Sequence, residues 1–185
     1  MKPDPGPIRS PRGFTLIELL IVVAIIGLLT GLLMPLFQEA VQKAKQKGTM
    51  ADIHSLTKAI MMFVTDEGRA PANPNGVLQG GGPFMADLDK LHISSVPITD
   101  QWGNSLRVWT GAGAAGHFGI SSSDVGPEDF LIQSMGQDGV DEGFVYSPVN
   151  PFDFYAIATV ADFKKDLIMW NGAWIHAPRP AQSGS

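Results

Sequence analysis

No cysteine occurs anywhere in the 185-residue chain. Disulfides, thiolate zinc sites and cysteine nucleophiles are therefore excluded, and a domain outside the cytoplasm must find its staples elsewhere. Histidine is scarce too. His54, His92, His117 and His176 are scattered, with no His-Glu-x-x-His pair for zinc. Positive charge is short, with 13 Lys and Arg against 18 Asp and Glu and a formal net charge of −5. A general nucleic-acid binder needs basic surface to displace counterions, so this balance argues against one. Internal repeats are absent. Ser121–Ser123 lie in no nucleophile-elbow context. Gly111-Ala-Gly-Ala-Ala-Gly116 fits the dinucleotide-binding pattern, but His117-Phe-Gly-Ile-Ser-Ser-Ser-Asp after it is no amphipathic helix. Without a βαβ unit that match reads as a surface loop. No catalytic constellation emerges, and an enzyme is not expected.

What the chain does have is one long apolar run. Residues 19–37 contain no charged side chain, and polarity returns at Gln38-Glu39. A helix of that length crosses about 30 Å of hydrocarbon. Just before it, Glu18 places a lone carboxylate where lipid would make it costly, which marks it as a functional candidate. The first thirteen residues carry Lys2, Arg9 and Arg12 against Asp4, a surplus of two positive charges, so the remainder carries −7. The positive-inside tendency places this leader in the cytoplasm and the bulk of the chain across the membrane. An ordinary secretory signal fits poorly. Its apolar stretch runs about 7–15 residues and precedes small residues at the cut, whereas here the run is longer and Gly13 comes first.

Helical periodicity continues past the span. Ala40, Val41 and Ala44, then Ile53, Leu56, Ile60, Phe63 and Val64, recur at helical spacings and predict an amphipathic stripe. Lys43, Lys45 and Lys47 form a collar at solvent or headgroup level. Glu67-Gly68 followed by Pro71 predicts the stop. Pro35, with Gly27 and Gly31 upstream, predicts a bend or local melting over residues 31–35. A Gly-, Pro- and Asn-rich loop follows, then a short helix over 84–91 and strands over 106–110 and 130–135. Asn171-Gly172 between Leu-Ile-Met-Trp and Ala-Trp-Ile predicts a hairpin with a type I′ turn. The divisions are a leader over 1–13, a span over 14–37, an amphipathic continuation over 38–67, a head over 68–177 and a disordered tail over 178–185. The class is α+β.

Gly13-Phe-Thr-Leu-Ile-Glu-Leu-Leu-Ile-Val-Val-Ala-Ile-Ile-Gly27 resembles the class III signal of type IV pilins and of type II secretion pseudopilins. The resemblance implies that a prepilin peptidase cuts between Gly13 and Phe14 and methylates the new Phe14 amine. It also implies the pilin fold: one long N-terminal helix, membrane-spanning in its first half, packed on a small antiparallel sheet. Gly27 and Pro35 would then mark a stretch that unwinds as subunits enter a filament. Glu18 would meet the freed Phe14 amine, of its own helix or of a neighbour, and set the axial register as each subunit joins.

Two further segments carry the resemblance toward the major pseudopilin. Thr99-Asp-Gln-Trp-Gly-Asn104 looks like that protein's Asp-Pro-Trp-Gly-Asn-Pro-Tyr segment, without the prolines. Ser134-Met-Gly-Gln-Asp-Gly139, leading to Asp141-Glu142-Gly143, resembles its Ser-x-Gly-x-Asp-Gly loop, where calcium holds the C-terminal region together. Glycines and carboxylates together suit a hard cation that takes 6–8 oxygen ligands. The implied ligands are Asp138, then Asp141, with backbone oxygens near Ser134 and a late carboxylate from Asp166, for which Asp153 and Asp162 compete. The expected partners are other copies of the chain, the peptidase, an inner-membrane assembly platform, minor pseudopilins and, before assembly, lipid. The expected function is that of a structural subunit of a periplasmic pseudopilus moving folded proteins across the outer membrane. The alternative is a pilus subunit for adhesion, motility or DNA uptake.

Overall fold

The computed structural model describes residues 13–88 and 92–179. The first helix, α1, runs without interruption over Leu16–Glu67. After it come β1 (Gly76–Val77), α2 (Pro83–Leu88), β2 (Arg107–Thr110), β3 (Phe130–Ser134), β4 (Asp153–Tyr155), β5 (Leu167–Trp170) and β6 (Ala173–Pro178). The chain divides into two compact units, Met1–Glu39 and Ala40–Ser185.

In its described part the first unit is the opening half of α1. Leucine favours helix there, the β-branched Ile and Val less so, and the apolar side chains all stand exposed from Leu16 to Phe37. Pro35 sits inside the helix, yet the helix continues through it, so the local melting expected at 31–35 is absent from the isolated chain.

The second unit is a six-stranded sheet ordered β1-β2-β3-β5-β6-β4, covered on both faces. Alternation along the strands explains the two layers. Val108, Phe130, Ile132, Leu167 and Met169 pack with Ile53, Leu56 and Ile60 of α1. Their neighbours Trp109, Leu131, Ile168 and Ile175 turn to the other face, under Ala114 and Ile120. With cover on both sides, all five residues of β3 are buried. The sheet is antiparallel, as expected of the α+β class, except where the edge strand β4 pairs parallel with β6.

The hairpin forms as predicted, with Asn171 and Gly172 both at positive φ (49° and 82°) as a type I′ turn requires. Gly68, at φ 68°, ends α1 and donates to the Val64 carbonyl at 2.8 Å. Three expectations need correction. Ala40 and Ala44 are exposed, and the inward face at that level is polar: Gln46 and Thr49 are buried instead. The short helix is Pro83–Leu88, with Leu91 outside the described residues. The tail does not begin at 178, because β6 reaches Pro178 and the Arg179 amide donates to the Tyr155 carbonyl at 2.8 Å. Residues 180–185 lie outside the described set, as do residues 1–12 of the leader.

Candidate functional site

Just before α1, Gly13 and Phe14 lie outside any helix or strand and are exposed, Phe14 by 80%. Thr15 then caps the helix. Its backbone N–H and its hydroxyl donate to Glu18 Oε2 at 2.9 and 2.8 Å, while the Glu18 N–H donates back to Thr15 Oγ1 at 3.3 Å. This is a capping box, a Thr and a Glu three apart that satisfy each other's orphan donors. The pattern was present in the sequence, and the reading of Glu18 as an intersubunit partner passed over it. In the isolated chain Glu18 is therefore neither bare nor waiting. Among the described residues Gly27 and Gly31 have nothing within 4 Å of where a Cβ would stand, so neither is needed for packing within one copy.

The second candidate region is the loop following β3. Its residues part company. The Ser134 hydroxyl donates to Asp100 Oδ2 at 2.8 Å. Asp138 turns back on its own loop, accepting the Val140 N–H at 3.2 Å. Asp141 meets Arg107 at 3.4 Å and accepts the Gly143 N–H at 2.8 Å. Of the three late carboxylates, Asp166 is the one that comes to the loop. It is fully buried; its Oδ2 accepts from Gln133 Nε2 at 2.9 Å and from the Glu142 N–H at 3.3 Å. The Asp166 N–H returns a bond to Glu142 Oε2 at 3.1 Å. Asp153 is instead engaged by His176 Nδ1 at 2.9 Å. Asp162 caps the 3-10 turn Val160–Lys164, and N–H groups from Thr159 and Ala158 hold its carboxyl down at about 2.

Burial pushes the Asp166 carboxyl up to about 6; the hydrogen bonds from Gln133 and Glu142 oppose the rise, and the charges of Asp141 and Glu142 add to it. Asp166 Oδ1 and Gln133 Oε1 are buried without a hydrogen-bond partner. Two unpaired oxygens in an electronegative corner suit a hard cation. Against this, no three His, Asp or Glu side chains among the described residues are grouped to hold a metal. In chemistry Asp166 and Glu142 could hold a calcium ion, with Gln133 Oε1, which no motif marked, as a further oxygen. Ser134 and Asp138 would first have to leave their present partners.

The loop is anchored to α1 through the turn at Asp100. Asp100 Oδ1 accepts the Trp102 and Asn104 N–H groups, each at 2.9 Å, and Asn104 Nδ2 donates to the Gly136 carbonyl at 2.7 Å. Trp102 Nε1 donates to Gln42 Oε1 at 2.7 Å; Gln101 bonds Thr49 through its N–H and Asp52 through its amide. Gly48 makes room for this approach, since a Cβ there would stand 2.9 Å from Gln101 Cγ. The glycine-rich segment after β2 folds into short 3-10 turns with no α-helix behind it.

Residues 8–34 match the family model described as the prokaryotic N-terminal methylation motif. No curated protein and no solved structure matches the chain. The N-terminus is type IV pilin-like, and the motif implies prepilin-peptidase processing and filament assembly in general. The apolar first half of α1 fits membrane anchoring.

Proposed function

We propose that the chain is a structural subunit of a type II secretion pseudopilus, held in the inner membrane by residues 14–37 with its head in the periplasm. One observation carries the reading. A methylation motif leads directly into a helix whose apolar side chains find no cover among the described residues. Such a surface persists only in lipid or against copies of itself. After the cut at Gly13, the Phe14 amine and the Glu18 carboxylate lie near one depth, and a carboxylate released from the Thr15 cap can pair with the amine of an adjoining copy. The expected outcome in the native cell is a mature chain starting at methylated Phe14, and removal of the protein traps secreted enzymes in the periplasm. Normal secretion with loss of surface fibres would instead assign it to a pilus.

Calcium is the second part of the proposal. The ion would sit beside Asp166, with Glu142 and Gln133 supplying oxygen, and would compensate the burial of that carboxylate. When bound it supplies a stabilising charge, not chemistry. Melting the full chain in detergent with calcium, magnesium or chelator tests it; stabilisation by calcium alone is expected, and indifference to calcium removes this part.

A further inference from the structure

Residues 138–143 reach several strands at once, and strand register shows what lies beneath them. Arg107 on β2 is the Cα partner of Gln133 on β3; Gln133 partners Ile168 on β5, and Ile168 partners His176 on β6. Side chains alternate along a strand, so Arg107 and Gln133 share the face of Trp109 and Leu131, two residues away on their own strands. Consecutive loop residues meet opposite ends of this row. Asp141 Oδ2 lies 3.4 Å from Arg107 Nη1, and Glu142 Oε2 lies 3.4 Å from His176 Nε2. From the same stretch the Glu142 N–H donates to Asp166 Oδ2 at 3.3 Å.

The hydrogen bonding of this corner is incomplete. Asp166 and Gln133 are fully buried, yet Asp166 Oδ1 and Gln133 Oε1 have no partner among the described residues. Arg107 does not serve them. Its Nε is itself buried without a partner, and its Nη1 donates to Asp141 instead. That pair is shallow, with side chains 29% and 41% exposed, so it can open without stranding a buried charge.

We infer that Arg107 is a built-in competitor of the calcium site proposed above: it holds Asp141, and calcium entering beside Asp166 takes that carboxylate from it. The inference rests on the calcium reading. Calcium takes 6–8 oxygens in flexible geometry, so Asp166, Glu142 and Gln133 alone leave its shell short. Asp141 adjoins Glu142 in the chain. Turning its side chain, with loss of the bond from the Gly143 N–H, brings a fourth residue to the ion. Its pairing with Arg107 also accounts for the lack of any three grouped carboxylates among the described residues. The guanidinium opposes the ion twice, because it must release Asp141 and because its own charge repels a second cation. A half-exposed pair is weak, so this competition amounts to several-fold in affinity rather than orders of magnitude. When calcium is scarce, Arg107 neutralises Asp141, and the loop keeps its seat with either cation.

The test titrates calcium alone into the full chain in detergent, by competition with a chromophoric chelator, and melts each variant in excess chelator. Arg107→Gln removes the charge but keeps a polar side chain; it should bind calcium several-fold more tightly than the parent and melt lower in chelator. Arg107→Lys keeps the charge and should bind like the parent, which a mere packing role for the guanidinium would not allow. Asp141→Asn should bind several-fold more weakly, and adding Arg107→Gln to it should then recover little. Equal or weaker binding by Arg107→Gln, a Lys variant that behaves like the Gln variant, or parent-like binding by Asp141→Asn overturns this inference and leaves the calcium reading standing. If Arg107→Gln does not fold, the Arg107→Lys and Asp141→Asn arms still decide. Failure of the parent itself to bind calcium overturns the two together.

Discussion

The buried carboxylate of Asp166 makes a sharp demand on the pH dependence of the head. Its pKa lies at about 6 in the folded chain against an ordinary value of 3.8, with burial as the main cause. A difference of about two between folded and unfolded pKa corresponds to about 3 kcal/mol. Solvent around the exposed neighbours Asp141 and Glu142 screens this to about 1–2 kcal/mol. The folded state holds this proton more tightly, so the unfolded chain ionises first as pH rises. The contribution is full below pH 4, is lost as pH climbs from about 4 to about 6, and stays lost above. Asp166→Asn removes the charge, and its amide offers a donor where Gln133 Oε1 has none. The two chains should melt alike near pH 4. At pH 7 in chelator the variant should melt higher by about 2–8 °C, given roughly 2–4 °C per kcal/mol for chains of this size. Calcium at pH 7 should raise the parent and leave the variant behind. Thermal unfolding in detergent, followed by tryptophan fluorescence, measures all three. Parallel pH profiles for the two chains, or a variant less stable at pH 7 in chelator, would refute the reasoning.

Glu18→Gln should leave cleavage after Gly13 intact, keep the Thr15 cap because glutamine also serves at that position, and slow filament growth; gel mobility and electron microscopy read cleavage and growth separately. Gly136→Ala should destabilise by about 2–4 kcal/mol in urea unfolding, because φ is 59° and the new Cβ would stand 2.5 Å from the Lys164 carbonyl oxygen, a backbone atom that cannot swing aside. Trp102→Phe keeps the ring but loses the bond to Gln42, so about 1 kcal/mol should disappear, with faster amide exchange over residues 40–50 than over 53–63.

Strong local signals made much of this fold legible. The span, the Gly68 stop and the Asn171-Gly172 hairpin each follow from backbone chemistry acting over a few residues. Central strands β2 and β3 showed as apolar runs, whereas β1 and β4 are edge segments of two and three residues with no periodicity to read. Extrapolating the apolar stripe through Ala40 and Ala44 failed because tertiary hydrogen bonds decide that level. Gln42 and Thr49 are satisfied by Trp102 and Gln101 from sixty and fifty-two residues away. The acidic loop was visible as a composition, but the sorting of its carboxylates was not. Which acid meets Gln133, which meets His176 and which caps a turn depends on the return of residues 153–166 to the sheet.

The polar level of α1 also explains how one chain can serve two solvents. Above it the sheet is covered on both faces, so the head has little reason to trade its core for contacts with a second copy. Below it the apolar side chains of the helix stand exposed among the described residues. Had the apolar stripe run unbroken from the span into the head, the helix could slide along the sheet by a turn with little penalty, since apolar packing is non-directional. Gln42, Gln46 and Thr49 forbid that, because each shift would strand a hydrogen-bonding group paired with Trp102, Tyr155 or Gln101. The register between helix and head is thereby fixed by directional bonds where the two begin to touch.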